Sequence, residues 1–173
     1  SYYARNNIAN YRTVTTIPQE NIEYLSSGLA VSSCDFMFSN CIKLVSIPWN
    51  EFNIDTSQCT SMRSMFYTCR ALTSLDLSSL DTSKVTMMGG MFYYCTALTS
   101  LDLSSFDTSK MTDMYQMFYN CESLTSLNLS NFDTNKVTSM SYMFYFCESL
   151  QEIICPNGFD MSSCTDVRYM FNN

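Results

Sequence analysis

The stretch MFYYCTALTSLDLSSFDTSKMTDMYQ, residues 91–116, decides the fold because its phrase returns along most of the chain. Its opening Met-Phe pair falls at Met37-Phe38, Met65-Phe66, Met91-Phe92, Met117-Phe118, Met143-Phe144 and Met170-Phe171, in steps of 28, 26, 26, 26 and 27 residues. A fixed period of roughly 20 to 30 residues marks a stacked solenoid, in which each unit buries its apolar face against its neighbours. Two periodicities alternate within a unit. Leu98, Leu101, Leu103 and Phe106 follow L-x-x-L-x-L-x-x-F, which puts Leu101 and Leu103 on one face of a short strand. Met111, Met114, Met117, Phe118 and Cys121 then recur at steps of three and four, the spacing of a helix over about residues 113–120. Thr112, repeated as Thr60, Thr86, Thr138 and Thr165, stands where an N-cap belongs. The expected fold is therefore α/β: a right-handed leucine-rich-repeat-like solenoid of about 26-residue strand–turn–helix units. It should carry a parallel sheet on one face and short helices on the other.

Residues 31–173 make five full units and a truncated sixth. Residues 1–30 do not fit the repeat and read as an N-terminal cap or linker, with a strand over Tyr11–Ile17 and a short helix over Gln19–Leu25. The extra residues at Phe52–Asp55 and at Gly158 fall in the strand-to-helix turn, where insertion is best tolerated. Gly89-Gly90 sits inside one expected helix at a cost of about 1.5–2 kcal/mol relative to alanine, which points to close approach by a neighbour. The beginning at Ser1 and the end at Asn173 both read as trimmed.

The phrase C-x-x-L-T-S-L-D-L-S-x-F-D-T-S-x-V-T-x-M-x-x-M-F resembles the BspA-like leucine-rich repeats of bacterial surface proteins, most closely the branch found in mycoplasma surface lipoproteins. The resemblance spans about residues 31–173 and implies a leucine-rich-repeat-like fold, surface display, and adhesion or partner binding. It supplies no catalytic residues.

The bulk properties narrow the function further. A net charge of −7 with nine scattered basic residues argues against nucleic acid. No run approaches the roughly 18 apolar residues of a membrane span. The chain has no histidine and no C-x-x-C, so no metal site, cofactor or nucleophile–base pair is expected, and the protein reads as non-catalytic.

Stacking turns each repeat position into a column. Cys41, Cys69, Cys95, Cys121 and Cys147 form one, read as small buried hydrophobes, with pairing between adjacent units as the alternative. Asp55, Asp81, Asp107, Asp133 and Asp160 each open a turn whose backbone the carboxylate should hold, a calcium ladder being the sharper alternative. The outward strand face carries Ser100, Asp102 and Ser104, then Ser126, Asn128 and Ser130: a solvated face or a shallow binding surface. Tyr67, Tyr93, Tyr119 and Tyr145 follow each Met-Phe, with Tyr94, Tyr115, Tyr142 and Phe146 beside them. This aromatic row either covers the expected helices or forms a contact surface. The leading reading is a surface-displayed adhesion module binding a protein or glycan on another cell. The rival is a self-associating filament or virion component, whose open strand edge would receive another chain.

Overall fold

The computed structural model of the chain describes residues 15–16 and 29–172, so the strand expected at Tyr11–Ile17, the helix at Gln19–Leu25 and most of the N-terminal cap lie outside the described residues. From Val31 onward the chain runs as a stack of coils in parallel register. A single ladder of bridges crosses all of them: Ser33 pairs with Ser61, Ser61 with Met87, Met87 with Asp113, Asp113 with Ser139, and Ser139 with Asp166. Residues one repeat apart therefore share one environment, as the spacing predicts.

The secondary structure inside each coil differs from the sequence expectation. Among the described residues there is no α-helix, and one turn of 3₁₀-helix at Trp49–Glu51 is the whole helical content. Among the described residues, regular strands are limited to β1 (Leu29–Ala30) on β2 (Ile54–Asp55) and β3 (Ser126–Asn128) on β4 (Glu152–Ile154), both pairs parallel. The strand–turn–helix unit is thus replaced by a coil of successive turns, and the two faces of sheet and helix do not form.

The reason lies in where the backbone amides go. In the 113–120 segment an α-helix would send the Phe118 amide to the Met114 carbonyl. Instead Met114, Gln116, Phe118 and Asn120 donate sideways to Ser139, Ser141, Met143 and Tyr145 of the next coil, at 3.1, 3.0, 3.0 and 2.7 Å. Between these, Met117, Tyr119 and Cys121 donate three residues back, closing one turn after another. Gln116 and Asn120 take positive φ (55° and 58°), as do their equivalents Ser64 and Thr68, Gly90 and Tyr94, and Tyr142 and Phe146. That alternation is incompatible with a helix, and an isolated eight-residue helix is marginal in any case. Steps of three and four survive because they are also the spacing between successive turn corners, and Met111, Met114, Met117, Phe118 and Cys121 are all buried.

Thr112 is not an N-cap. Its amide and hydroxyl both reach the Thr86 carbonyl of the preceding coil, at 2.8 and 3.0 Å, and Thr86 and Thr138 repeat the arrangement on Thr60 and Thr112. A second threonine row, buried and unnoticed in the sequence, runs through Thr56, Thr82, Thr108 and Thr134. Each hydroxyl of the first three accepts from the amide of the next coil's aspartate and donates to the same residue's carbonyl, as Thr108 does with Asp133 at 2.7 and 3.3 Å. The side chain does the work of a peptide group in a parallel ladder.

Down the centre runs a row of stacked rings. Phe38, Phe66, Phe92, Phe118, Phe144 and Phe171 lie 5.7, 5.7, 5.6, 5.6 and 5.2 Å apart with planes within 12° of parallel. Gly89 is explained by close approach: a Cβ there would meet Asp113 Oδ2 at 3.0 Å. Gly90 occupies the left-handed corner at φ 64°. Over Gly89, Arg63 crosses a whole coil to pair with Asp113 at 3.2 Å.

Replacing Thr108 by valine should lower stability by about 1–3 kcal/mol, the cost of leaving a buried backbone pair unmatched. Thr108→Ser, which keeps the hydroxyl, should cost less; urea unfolding of the two variants makes the comparison.

Candidate binding surface

The same alternating turns that bury Met117 and Phe118 bring Tyr119 to the outside of the coil. Repetition then sets Tyr67, Tyr93, Tyr119 and Tyr145 in a file along the stack, with ring centroids 4.5, 4.6 and 5.2 Å apart and planes within 19° of parallel. All four rings are half-buried. Their faces press on one another and their edges turn outward. Tyr94 leans on Tyr93 and Tyr119 at 4.9 and 5.8 Å, and the Arg70 guanidinium lies 5.3 Å above its ring. Farther along, Tyr142 packs between Tyr115 and Tyr145, and Phe146 meets Tyr145 edge-on at 4.3 Å. Tyr115 and Phe146 stand out as the more open members, 40% and 37% exposed. All eight aromatic residues singled out in the sequence thus gather in one continuous ridge. The ridge covers the turns and presents a surface at once.

Burial, then the neighbouring phenols, pushes the Tyr93, Tyr115 and Tyr119 hydroxyls above their ordinary range. Each keeps its proton and remains a hydrogen-bond donor.

The outward Ser-Asp face is a set of self-contained turns. Asp102 Oδ1 accepts the Ser104 amide at 2.9 Å, and Asp76 Oδ1 accepts both the Ser78 amide and hydroxyl at 3.0 and 2.7 Å. Asn128 does the same for Ser130 at 3.1 and 2.7 Å, so an amide oxygen serves as well as a carboxylate and the charge itself is dispensable there. Ser100 and Ser126 are exposed beside them. Only Ser126 and Asn128 sit on a regular strand, β3.

The turn-opening aspartates behave as the sequence suggests. Asp55, Asp81, Asp107, Asp133 and Asp160 each accept the amide two residues on at 2.8–3.0 Å. The serine side chain two residues on, then its amide, holds Asp55, Asp81 and Asp107 below the ordinary carboxylate range, and the Ser162 amide, then its side chain, does so for Asp160. Among the described residues no three acidic or sulfur side chains converge as metal ligands would. The cysteine row is buried, and its thiols are more than hydrophobes. Cys69, Cys95, Cys121 and Cys147 donate to the carbonyls of Phe38, Phe66, Phe92 and Phe118 at 3.0–3.2 Å.

Comparison with known proteins agrees with this repeat architecture. The family model described as "Mycoplasma protein of unknown function, DUF285" matches residues 32–155. The chain is similar to a solved leucine-rich cell surface protein from Faecalibacterium prausnitzii, at 23% identity and a TM-score of 0.53, over 83% of this chain and 34% of that one. It also matches the leucine-rich repeat protein of T. pallidum at 17% identity and a TM-score of 0.45, over 73% of this chain and 62% of that one. No curated protein matches it. The resemblance to BspA-like repeats of the mycoplasma branch therefore holds, and with it the leucine-rich-repeat-like fold. The chain spans about a third of the Faecalibacterium protein. No helix among the described residues is long and apolar enough to cross a membrane.

The raised phenols set a direction for alkaline unfolding. The unfolded chain releases a tyrosine proton near the ordinary value of 10.0, whereas the folded ridge still holds it. Stability from this source is complete below about pH 10 and is lost as pH rises from there through the folded value. The Tyr93→Phe, Tyr115→Phe, Tyr119→Phe triple variant should lose less stability over that interval, as read by urea midpoints at stepped pH.

Proposed function

The chain belongs to the DUF285 family of mycoplasma proteins of unknown function, and on that premise we propose that it is a non-catalytic adhesion module, displayed at a cell surface, whose ridge docks a protein partner. One observation carries the reading: eight aromatic side chains, seven tyrosines and Phe146 drawn from four successive coils, form a single half-open strip. Tyrosine-rich strips are enriched at protein interfaces, because each ring adds contact area at small entropic cost and ends in a hydrogen-bonding group. Surface display is supported by the likeness to a protein titled as a cell surface protein.

Of the two partner classes, the geometry favours protein over glycan. A sugar ring stacks on an aromatic face. Within the file of Tyr67, Tyr93, Tyr119 and Tyr145 the facing sides are occupied by one another at 4.5–5.2 Å, so the file presents chiefly edges and hydroxyls. Edges and hydroxyls suit the mixed apolar and hydrogen-bonding surface of a polypeptide.

Panning a displayed random-peptide library on the immobilised chain, beside a panel of oligosaccharides, tests both points. The expected outcome is enrichment of peptides whose affinity drops about tenfold, or 1.4 kcal/mol, for the Tyr115→Ser, Phe146→Ser double variant and is unchanged for Asp102→Asn. Binding by oligosaccharides alone, or peptide binding indifferent to the ridge substitutions, would remove the proposal.

A further inference from the structure

Two cysteines lie outside the cysteine row and in contact with each other. Cys34 fills the slot that Met62, Met88, Met114 and Met140 hold in later coils, and Cys59 fills the slot of Val85, Met111 and Val137. Both slots face the core. Here, on successive coils, a thiol occupies both, and the two Sγ atoms lie 3.7 Å apart with the residues 1% and 0% exposed. The backbones around them are already joined by the Ser33–Ser61 bridge and by the Cys34 amide on the Ser61 carbonyl at 2.9 Å.

The row thiols are turned to backbone carbonyls, and Cys59 Sγ likewise lies 3.1 Å from the Ser61 carbonyl as well as against Cys34. Cys69, Cys95, Cys121 and Cys147 are turned to phenylalanine carbonyls, and Cys69, Cys95 and Cys121 are held well up the pH scale, Cys69 chiefly by its bond with Cys41 and the other two by burial. The Cys34–Cys59 pair divides its acidity. Sharing a hydrogen bond with Cys34, with help from the backbone at Ser61 and Cys34, brings Cys59 down to about 7. The same shared bond, then burial, pushes Cys34 up. An acidic thiol beside a protonated one is the arrangement of an attacking and a resolving cysteine.

We propose that Cys34 and Cys59 form a peroxide-responsive pair that closes to a disulfide and staples two adjacent coils. The Cys59 sulfur attacks one oxygen of a hydroperoxide; the O–O bond breaks, Cys59 becomes a sulfenic acid, and the leaving oxygen departs as water or alcohol with the thiol proton. The Cys34 sulfur then displaces the sulfenic hydroxyl, forming the S–S bond and releasing water with the second proton. Two thiols are oxidised by two electrons, and the peroxide is the oxidant reduced. Both sulfurs are buried, so the reaction requires the first coils to open locally and admit the peroxide. Side-chain rotation then closes the sulfurs from 3.7 Å to the roughly 2.05 Å of a disulfide. The assignment is independent of the binding role of the ridge.

The experiment treats the folded chain with hydrogen peroxide, blocks remaining thiols, digests it and maps the peptides by mass. The expected result is one linked pair joining Cys34 to Cys59, lighter by two hydrogens, with a thermal midpoint raised by several degrees and restored by dithiothreitol. In Cys34→Ser, Cys59 should stop at the sulfenic acid and be trapped by a cyclic dione. Cys95→Ser should leave the link intact. Recovery of Cys34 and Cys59 as blocked thiols, their over-oxidation without a link, or a link between Cys41 and Cys69 instead would overturn the proposal. The wild-type peptide map decides even if a variant fails to fold.

Discussion

The structure depends on alternate backbone amides being turned sideways. Met62, Ser64, Phe66 and Thr68 donate to the next coil, as do Met88, Gly90, Phe92 and Tyr94 one repeat later, at 2.6–3.1 Å. A buried amide left without a partner is costly, so each coil is completed only by its neighbour. Everything else is arranged to keep that pairing in register. Residues with positive φ turn the amides out, two threonine rows add side-chain rungs, and aspartates close the turns between. The Phe38–Phe144 row then fills the interior with rings at the same repeat as the backbone rungs, and Phe171 stacks on its exposed end. Stability in such a stack is a sum of nearest-neighbour contacts, and no single coil holds itself together.

The aromatic ridge follows from the same constraint. A side chain that faces outward in one coil faces outward in all, at the spacing of the ladder. One tyrosine per repeat therefore becomes a file of stacked rings without any further design. Stacking removes from solvent the facing sides of Tyr67, Tyr93, Tyr119 and Tyr145. The polar side chains of the Ser-Asp turns are consumed by their own backbone, and Asn128 shows that the negative charge is not what they contribute. Departures from the repeat are where local chemistry appears. At Gly89 the missing side chain admits the Arg63–Asp113 pair across a coil. At Cys34 and Cys59 two core slots receive thiols together.

Legibility was uneven for physical reasons. The inward set of Met114, Met117, Phe118 and Cys121 could be read because burial imprints spacing on sequence whatever the backbone does. The helix drawn from that spacing was wrong because steps of three and four also separate the corners of consecutive turns. A clue lay in Gly90 and in the polar residues at the equivalent positions Ser64 and Gln116. Large residues such as Tyr142 and Phe36 also adopt positive φ there, which hides the pattern. The buried role of Thr108 was missed because Asp-Thr-Ser reads as a turn whether or not its central hydroxyl faces another coil. The thiol bonds of the cysteine row were invisible for a like reason: a carbonyl 29 residues away leaves no mark on local sequence.

The period alone determined that residues one repeat apart occupy equivalent sites, since only stacking makes a 26-residue interval recur with so few departures. It therefore settled the columns, the buried set and the turn-closing aspartates, all of which depend on local pattern. Whether a coil would close its amides on itself, as a helix, or hand them to its neighbour could not be read there. That choice is a competition between hydrogen bonds four residues apart and bonds 25 or more residues apart, and only the assembled stack decides it. The orientation of the tyrosine faces and the meeting of Cys34 with Cys59 were decided with it, because both depend on how closely one coil lies upon the next.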